Sequence, residues 1–327
     1  MLFRSVFSIA AVIFVLFGFR KYLGRIGSLI GGFLFLISPF LLYYGRYTRN
    51  EAFIELFAVL TFYGILRYFS KRDNFSLYLL AVVTALQFTT KEVAYIYTAQ
   101  LLLFCGFVFL YDVWNFPWEE IRKRTIAFAL LLFGALIGAV GLLLLKYVSP
   151  ESGADFRQYL GMGLLAIGAL LVIIDIISVI RQFGWQIIRK SPAFNLIVFI
   201  GALILPLLTA FPVRLMGWDP LDYSSAGIIH TGIVMIVLFV ISFLIGIWWN
   251  RDVFLKSLIA FYLIFITFYT TLFSNGHGFF TGMVGSLGYW LTQQDVQRGS
   301  QPLYYYAAVL IPIYEYVAVA GSILGIF

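Results

Sequence analysis

The chain opens with LFRSVFSIAAVIFVLFGFRKYLGRIGSLIGGFLFLISPFLLYYGRYTRNEAF (residues 2–53), where a basic turn separates two long apolar runs and a charged segment follows the second run. The rest of the chain continues this alternation: 62% of its 327 residues are apolar, 11% are charged, and the mean hydropathy is +0.97. One soluble core would not bury so much apolar surface, whereas lipid accepts apolar side chains on every face of a helix. The sequence therefore predicts an all-α polytopic integral membrane protein.

The apolar runs predict about eleven transmembrane helices, because each run is close to the length that crosses a bilayer. The run over residues 76–111 would be about 54 Å long as one helix, against a hydrocarbon core of about 30 Å, so it must break at the polar TTKE of residues 89–92. No loop is long enough for a soluble domain, and we expect one transmembrane domain over residues 1–327. The predicted spans lie near residues 2–19, 26–44, 52–69, 76–89, 93–111, 126–146, 160–180, 193–211, 228–249, 253–273 and 304–325.

The loop charges predict how these helices are oriented. Fourteen of the 22 Lys and Arg residues lie in one set of loops, and basic residues concentrate on the cytoplasmic side of membrane proteins. The polar segments at residues 43–53, 89–92 and 274–303 belong to the other set, so we expect all three on the extracytoplasmic face. The net charge of +7 is spread over short loops without a basic domain, which argues against nucleic acid as a partner.

The first polar segment, YYGRYTRNEAF (residues 43–53), places Arg46, Arg49 and Glu51 in the short gap between two spans. Guanidinium groups bind phosphate through paired hydrogen bonds, and a nearby carboxylate can hold a divalent metal or a sugar hydroxyl. This pattern indicates a site for an anionic, phosphorylated ligand. The alternative is that the arginines reach toward lipid headgroups while Glu51 is a charge at a helix start.

The second polar segment places Lys91 and Glu92 in the tight TTKE turn. They are interpreted either as a surface pair that neutralises itself or as an active-site pair, and the sequence leaves both open. Glu55 lies one helical turn below Glu51 on the same face, where a carboxylate in lipid needs a partner such as Lys91.

The third polar segment, residues 274–303, begins with closely spaced glycines and ends with aromatic and polar residues. We expect a flexible first half and an amphipathic second half, in which Tyr289, Trp290, Asp295 and Arg298 contact a substrate carried on a lipid. His277 is a weaker candidate as a metal ligand. The alternative is an interfacial helix that only closes the bundle. The segment at residues 211–230 is interpreted as an ordinary capped turn.

The quoted stretch resembles the second to fourth membrane helices of GT-C type membrane glycosyltransferases, the class of the protein O-mannosyltransferases and lipid A aminoarabinose transferases. The resemblance rests on Gly24 with Arg25, Ser38 with Pro39, Arg46 or Arg49, and Glu51. TTKEVA (residues 89–94) and GSLGYWLTQQDVQRGSQPLYYY (residues 285–306) are similar to a subgroup described as flippase-activity-associated proteins.

This resemblance implies a GT-C-like bundle that transfers a sugar from a polyprenyl-phosphate carrier to a protein or glycolipid acceptor on the extracytoplasmic face. It implies catalytic roles for Glu51 and Glu92, and a divalent metal, if one is used, would be held by Glu51 or His277. The residues expected to contact the donor phosphate are Arg46, Arg49, Lys91 and Arg298, and those expected to contact substrate are Asp295, Trp290 and Tyr289.

The class usually carries a catalytic Asp in an external loop just before the span that begins here at Leu2. We therefore expect either that the first span and loop are missing from the chain or that the chain is a degenerate member. Two other functions stay open: a transporter or flippase-associated protein that holds a lipid-linked sugar without bond making, and a structural scaffold. A transport path would need charges within the membrane, and the candidates are Glu55, Asp175 and Glu315.

Overall fold

The computed structural model describes residues 2–46, 50–146, 156–293, 296 and 301–325, and within these ranges every regular element is helical. The predicted apolar runs are helical, although those at residues 26–44 and 304–325 are each divided among two or more helices, and this confirms the all-α prediction. The helices are α1 Leu2–Gly18, α2 Arg20–Ile37, α3 Pro39–Arg46, α4 Glu51–Lys71, α5 Asn74–Thr90, α6 Ala94–Trp114, α7 Ile121–Lys146, α8 Phe156–Ile188, α9 Pro192–Ile204, α10 Ala210–Leu215, α11 Ser225–Tyr269, α12 His277–Phe280, α13 Ser286–Gln293, α14 Leu303–Tyr305, α15 Ile311–Tyr314 and α16 Tyr316–Leu324.

Five helices are long and apolar enough to cross a membrane: Glu51–Lys71, Ala94–Trp114, Ile121–Leu145, Tyr159–Ile188 and Ser225–Tyr269. The bent pair Tyr306–Tyr314 and Tyr316–Leu324 makes a sixth if it is one span. These helices identify a multi-pass membrane protein, while the count of about eleven spans stays a prediction. Two of the predicted spans lie on α11, whose helical geometry is interrupted at Asn250 (φ −163°, ψ 100°).

The chain forms two compact units. The first unit contains residues 1–103 and 196–327. Aromatic side chains join its helices: Phe14 of α1 lies edge-on to Tyr63 of α4 with ring centroids 5.1 Å apart, and Phe19 lies 5.9 Å from the same ring. Phe261 and Phe265 of α11, which are both fully buried, form a second group of buried aromatic residues. The contacts of Tyr63 join α1 to the part of α4 that lies toward Arg67, since the Arg67 guanidinium donates to the Tyr63 hydroxyl at 3.4 Å.

The second unit contains residues 104–195, in which α7 and α8 pack closely along their length. Glycines allow this approach: a Cβ added at Gly134 would lie 3.0 Å from the Gly168 carbonyl oxygen, and one at Gly168 would lie 2.6 Å from the Gly134 carbonyl oxygen. Small residues at helix interfaces are the usual means of close packing in membranes. A cluster around Val179 and Phe183 forms the core near the ends of these helices.

At the end of the α4–α5 hairpin away from Glu51, Asp73 caps α5 by accepting from the Ser76 amide at 3.1 Å. The same carboxylate forms an ion pair of 2.5 Å with Arg67. Burial opposes the charge of Asp73, but the hydrogen bonds from Arg67 and Ser76 outweigh it and lower the pKa to about 2.

Replacing Asp73 by Ala is expected to lower the free energy of unfolding by about 1 to 2 kcal/mol, because the variant loses both the helix cap and the ion pair. The pKa of Asp73 is lower in the folded state, so its contribution is present above the ordinary value near 3.8 and is lost as the pH falls toward 2. The unfolding temperatures of the two proteins, measured in detergent, should therefore differ at pH 7 and differ less at pH 3. Asp252→Ala, at an exposed position of α11, is the matched control.

Candidate functional site

The first two polar segments meet at the junction of α4 and α5. Glu51 is the first residue of α4, and Lys91 follows the last residue of α5 in an extended conformation. The Lys91 Nζ donates to the Glu51 Oε1 at 2.6 Å, and the Asn50 Nδ2 donates to the Thr90 carbonyl oxygen at 3.2 Å. The Glu51 side chain is 18% exposed and the Lys91 side chain 33%, so the lysine is the more accessible member of the pair.

This geometry corrects two interpretations of the sequence. Lys91 forms its ion pair with Glu51, so the interpretation that it neutralises its neighbour Glu92 is wrong. Glu55 does not take Lys91 as its partner; its Oε2 accepts from the Ser8 hydroxyl at 3.3 Å. The physical reason is the position of the helix ends: the extended backbone at Lys91 directs its side chain to the start of α4, whereas Glu55 lies one turn below that point.

The glycine-rich half of the third segment, which was expected to be flexible, is helical from His277 onward. α12 continues through a π-helical turn, Thr281–Gly285, into α13, and residues 282–285 are buried. A Cβ added at Gly278 would overlap the Tyr269 carbonyl oxygen, and one added at Gly282 would lie 2.5 Å from the Tyr269 ring. The glycines are therefore required for the approach of this element to α11.

This packing brings the third segment to the TTKE turn. The Tyr269 hydroxyl donates to the Phe88 carbonyl oxygen at 3.1 Å, which ties the end of α11 to the end of α5. Ser286 lies beside the hydroxyl groups of both Tyr95 and Tyr269. Glu92 is exposed. The end of α5 thus joins the first and third segments.

The segment at residues 211–230 lies against the same element. The Tyr223 ring packs edge-on against Phe280 with centroids 6.2 Å apart. As the sequence predicted, this segment is a capped turn: Ser224 accepts from the Gly227 amide at 3.2 Å at the start of α11. The hydrogen bonds that Asp222 accepts from Ser224 lower the pKa of its carboxyl group.

For several of the predicted site residues the structure gives only a position on a helix, or they lie outside the described residues. Arg46 is the last residue of α3, and Arg49, Asp295 and Arg298 lie outside the described residues. On α13, Tyr289 is 54% exposed and Trp290 is half-buried.

The donor set for a divalent metal is poor among the residues that the structure describes. No three His, Cys, Asp or Glu side chains gather there at one point, and His277 is an exposed residue at the start of α12. Glu51 is already bound by an ammonium group, so a metal at this carboxylate would have to displace Lys91.

Four residues of this region were missed from sequence: Asn50, Tyr223, Tyr269 and Ser286. Asn50 and Tyr223 each join two of the polar segments, and Tyr269 and Ser286 connect the glycine-rich element to the end of α5. The available signal was weak, since a tyrosine at the end of an apolar span is common at membrane interfaces.

The long apolar helices define a multi-pass membrane protein, and the Glu51–Lys91 ion pair lies at the junction of two of its helices. Residues 2–152 match the model of a family described as dolichyl-phosphate-mannose-protein mannosyltransferase, PMT. The match contains the stretch quoted first and the Glu51–Lys91 pair, and it confirms the resemblance to GT-C type membrane glycosyltransferases. No curated protein and no solved structure matches the chain.

Proposed function

We propose that this protein transfers a mannosyl group from a polyprenyl-phosphate carrier to a hydroxyl group of a protein acceptor on the extracytoplasmic face. The observation that carries the proposal is the Glu51–Lys91 ion pair at the end of the bundle, within the region that matches the mannosyltransferase family. The sidedness is supported by the unequal distribution of basic residues between the two sets of loops. A glycolipid hydroxyl is the second acceptor to be tested.

In the proposed reaction the acceptor oxygen attacks the anomeric carbon, the bond from that carbon to the phosphate oxygen breaks, and polyprenyl phosphate leaves with the bonding electrons. The leaving group therefore gains negative charge, which a fixed cation stabilises more in the transition state than in the ground state. Lys91 is suited to this role because Glu51 holds its ammonium group at 2.6 Å while leaving it partly accessible.

The acceptor hydroxyl must lose a proton as the new bond forms, and a carboxylate is the usual base for this step. We assign this role to Glu92, which is exposed beside Lys91, and we assign Glu51 to the orientation of Lys91. Arg46, Arg49 and Arg298 are proposed as further phosphate contacts. Tyr289, Trp290 and Asp295 are proposed as contacts to the sugar or the lipid.

The alternative function, a carrier of a lipid-linked sugar without bond making, needs ionisable groups that are free to exchange partners within the membrane. Two of the candidates are engaged in bonds that hold helices together: Glu55 binds the Ser8 hydroxyl, and Glu315 binds the Ser38 hydroxyl at 2.6 Å. This arrangement favours transfer over transport.

The test uses the full-length protein in vesicles that contain polyprenyl-phosphate mannose with a radiolabelled sugar. Peptides rich in serine and threonine are added outside, and labelled peptide is the expected product. If labelled glycolipid forms instead, the acceptor is a lipid and not a protein. Label that stays on the carrier lipid would contradict the transferase, and movement of that labelled lipid across the vesicle membrane would in addition support the carrier.

A further inference from the structure

Two positions at which a helix is interrupted are hydrogen-bonded to each other in the first unit. Ser38 (φ −59°, ψ 117°) separates α2 from α3, and Glu315 (φ −116°, ψ 35°) separates α15 from α16. The helices on either side of Glu315 are bent by 102°. The Glu315 Oε1 accepts from the Ser38 hydroxyl at 2.6 Å and from the Phe40 amide at 3.1 Å. A carboxylate within an apolar segment is costly unless it is hydrogen-bonded, and here it is bonded to the start of another helix.

The first turn of α3 depends on these bonds. Pro39 has no amide hydrogen, the Leu41 amide donates to the Ser38 hydroxyl oxygen at 3.2 Å, and the Phe40 amide donates to Glu315. The amides at a helix start have no partner within the helix, and a negative charge placed there is favourable. Glu315 therefore caps α3 from a position 277 residues away from Ser38.

The other end of α3 is fixed as well. A Cβ added at Gly45 would lie 2.9 Å from the Ser8 Oγ, so α3 closely approaches α1 at this point. The same Ser8 hydroxyl donates to Glu55 of α4. The helix is thus hydrogen-bonded at its start to Glu315, and its end lies against α1. It ends at Arg46, five residues before Glu51.

We propose that Glu315 is a positioning residue: by capping α3 it holds that helix, and with it Arg46 at the helix end, in place beside α1. The functional part of this inference rests on the proposed transferase activity, because Glu315 acts on the reaction only through the position of α3. The structural part does not depend on any activity.

The structural part is tested with a disulfide between Ser8→Cys and Gly45→Cys in a Cys105→Ala background, which removes the one native cysteine. A Cβ on Gly45 would lie 3.6 Å from the Ser8 Cβ, within the range of about 3.5 to 4.5 Å for disulfides. We expect rapid cross-linking with Glu315 present and with Glu315→Gln, whose side-chain oxygen accepts both hydrogen bonds. Glu315→Leu should slow it about tenfold, since a tenfold change corresponds to the loss of about one hydrogen bond to a charged group.

Equal cross-linking rates in the unmodified background and in Glu315→Leu would overturn the proposal, and so would a rate in Glu315→Gln as low as in Glu315→Leu. If Glu315→Leu does not fold, Glu315→Ala removes the same two acceptor bonds with a smaller side chain and should also slow the reaction. Transfer activity is measured in parallel: Glu315→Leu should lower kcat/KM about tenfold, and Glu315→Gln should restore most of it. A protein without any transfer activity would disprove the proposed function while leaving the cross-linking result to decide the role of Glu315.

Discussion

Exchanging the charges of the ion pair, by Glu51→Lys together with Lys91→Glu, is expected to leave the protein folded and to lower mannosyl transfer by about two orders of magnitude. The exchanged pair can still form across the α4–α5 junction, where the two groups are 2.6 Å apart in the native protein. It no longer presents an accessible cation at position 91 to the departing phosphate, and it presents a negative charge there instead. The loss should therefore appear in kcat/KM, whereas stability should fall only by about 0.3 to 1 kcal/mol per group, because each charge then opposes the dipole of its helix.

The control for this experiment is Lys71→Met, which removes an exposed cation at the other end of α4. Its activity should stay within about twofold of the unmodified protein, because charges at exposed surface positions contribute little. Lys91→Met alone should lose transfer to a similar degree as the exchange. Recovery of activity in the exchanged protein would show that the pair serves only to join the two helices, and the catalytic assignment of Lys91 would be wrong.

The prediction that the three polar segments gather at one end of a bundle came from loop charges and spacing alone. The structure joins the described parts of all three segments within the first unit: Asn50 and Glu51 contact the end of α5, and Tyr269 and Ser286 connect that end to the glycine-rich element. The sequence did not determine which charges form pairs. Lys91 has acidic residues at positions 51, 55 and 92 within plausible reach, and only the backbone direction at the end of α5 selects Glu51.

The glycine-rich segment shows why composition alone was insufficient. Glycine is typical both of flexible loops and of close helix contacts, and only the spacing of the glycines along the chain distinguishes the two. Gly278 and Gly282 are four residues apart, so they lie on the same face of a helix, and both contact Tyr269. The hydrogen bond between Glu315 and Ser38 could not be predicted either, because nothing in the sequence relates two helix breaks that are 277 residues apart.

Replacing Gly278 by Ala is expected to destabilise the protein by about 3 kcal/mol and to lower the yield of folded material. A Cβ at this position overlaps the Tyr269 carbonyl oxygen, which is a backbone atom and can move only with α11 itself. Gly276→Ala is the matched control, since a Cβ two residues earlier meets no atom within 4 Å and its φ of −61° suits any residue. Its stability should lie within about 0.5 kcal/mol of the unmodified protein.

The comparison is made by thermal unfolding of both variants in the same detergent. A flexible loop would tolerate alanine equally at both positions, so equal stabilities would contradict the packed element described here.

A selective loss of stability at Gly278 would have a second consequence. Tyr269 carries the contact from α11 to the Phe88 carbonyl at the end of α5, three residues before Lys91. Any Gly278→Ala protein that does fold should therefore also show slower transfer, because the displacement of α11 reaches the turn that holds the ammonium group.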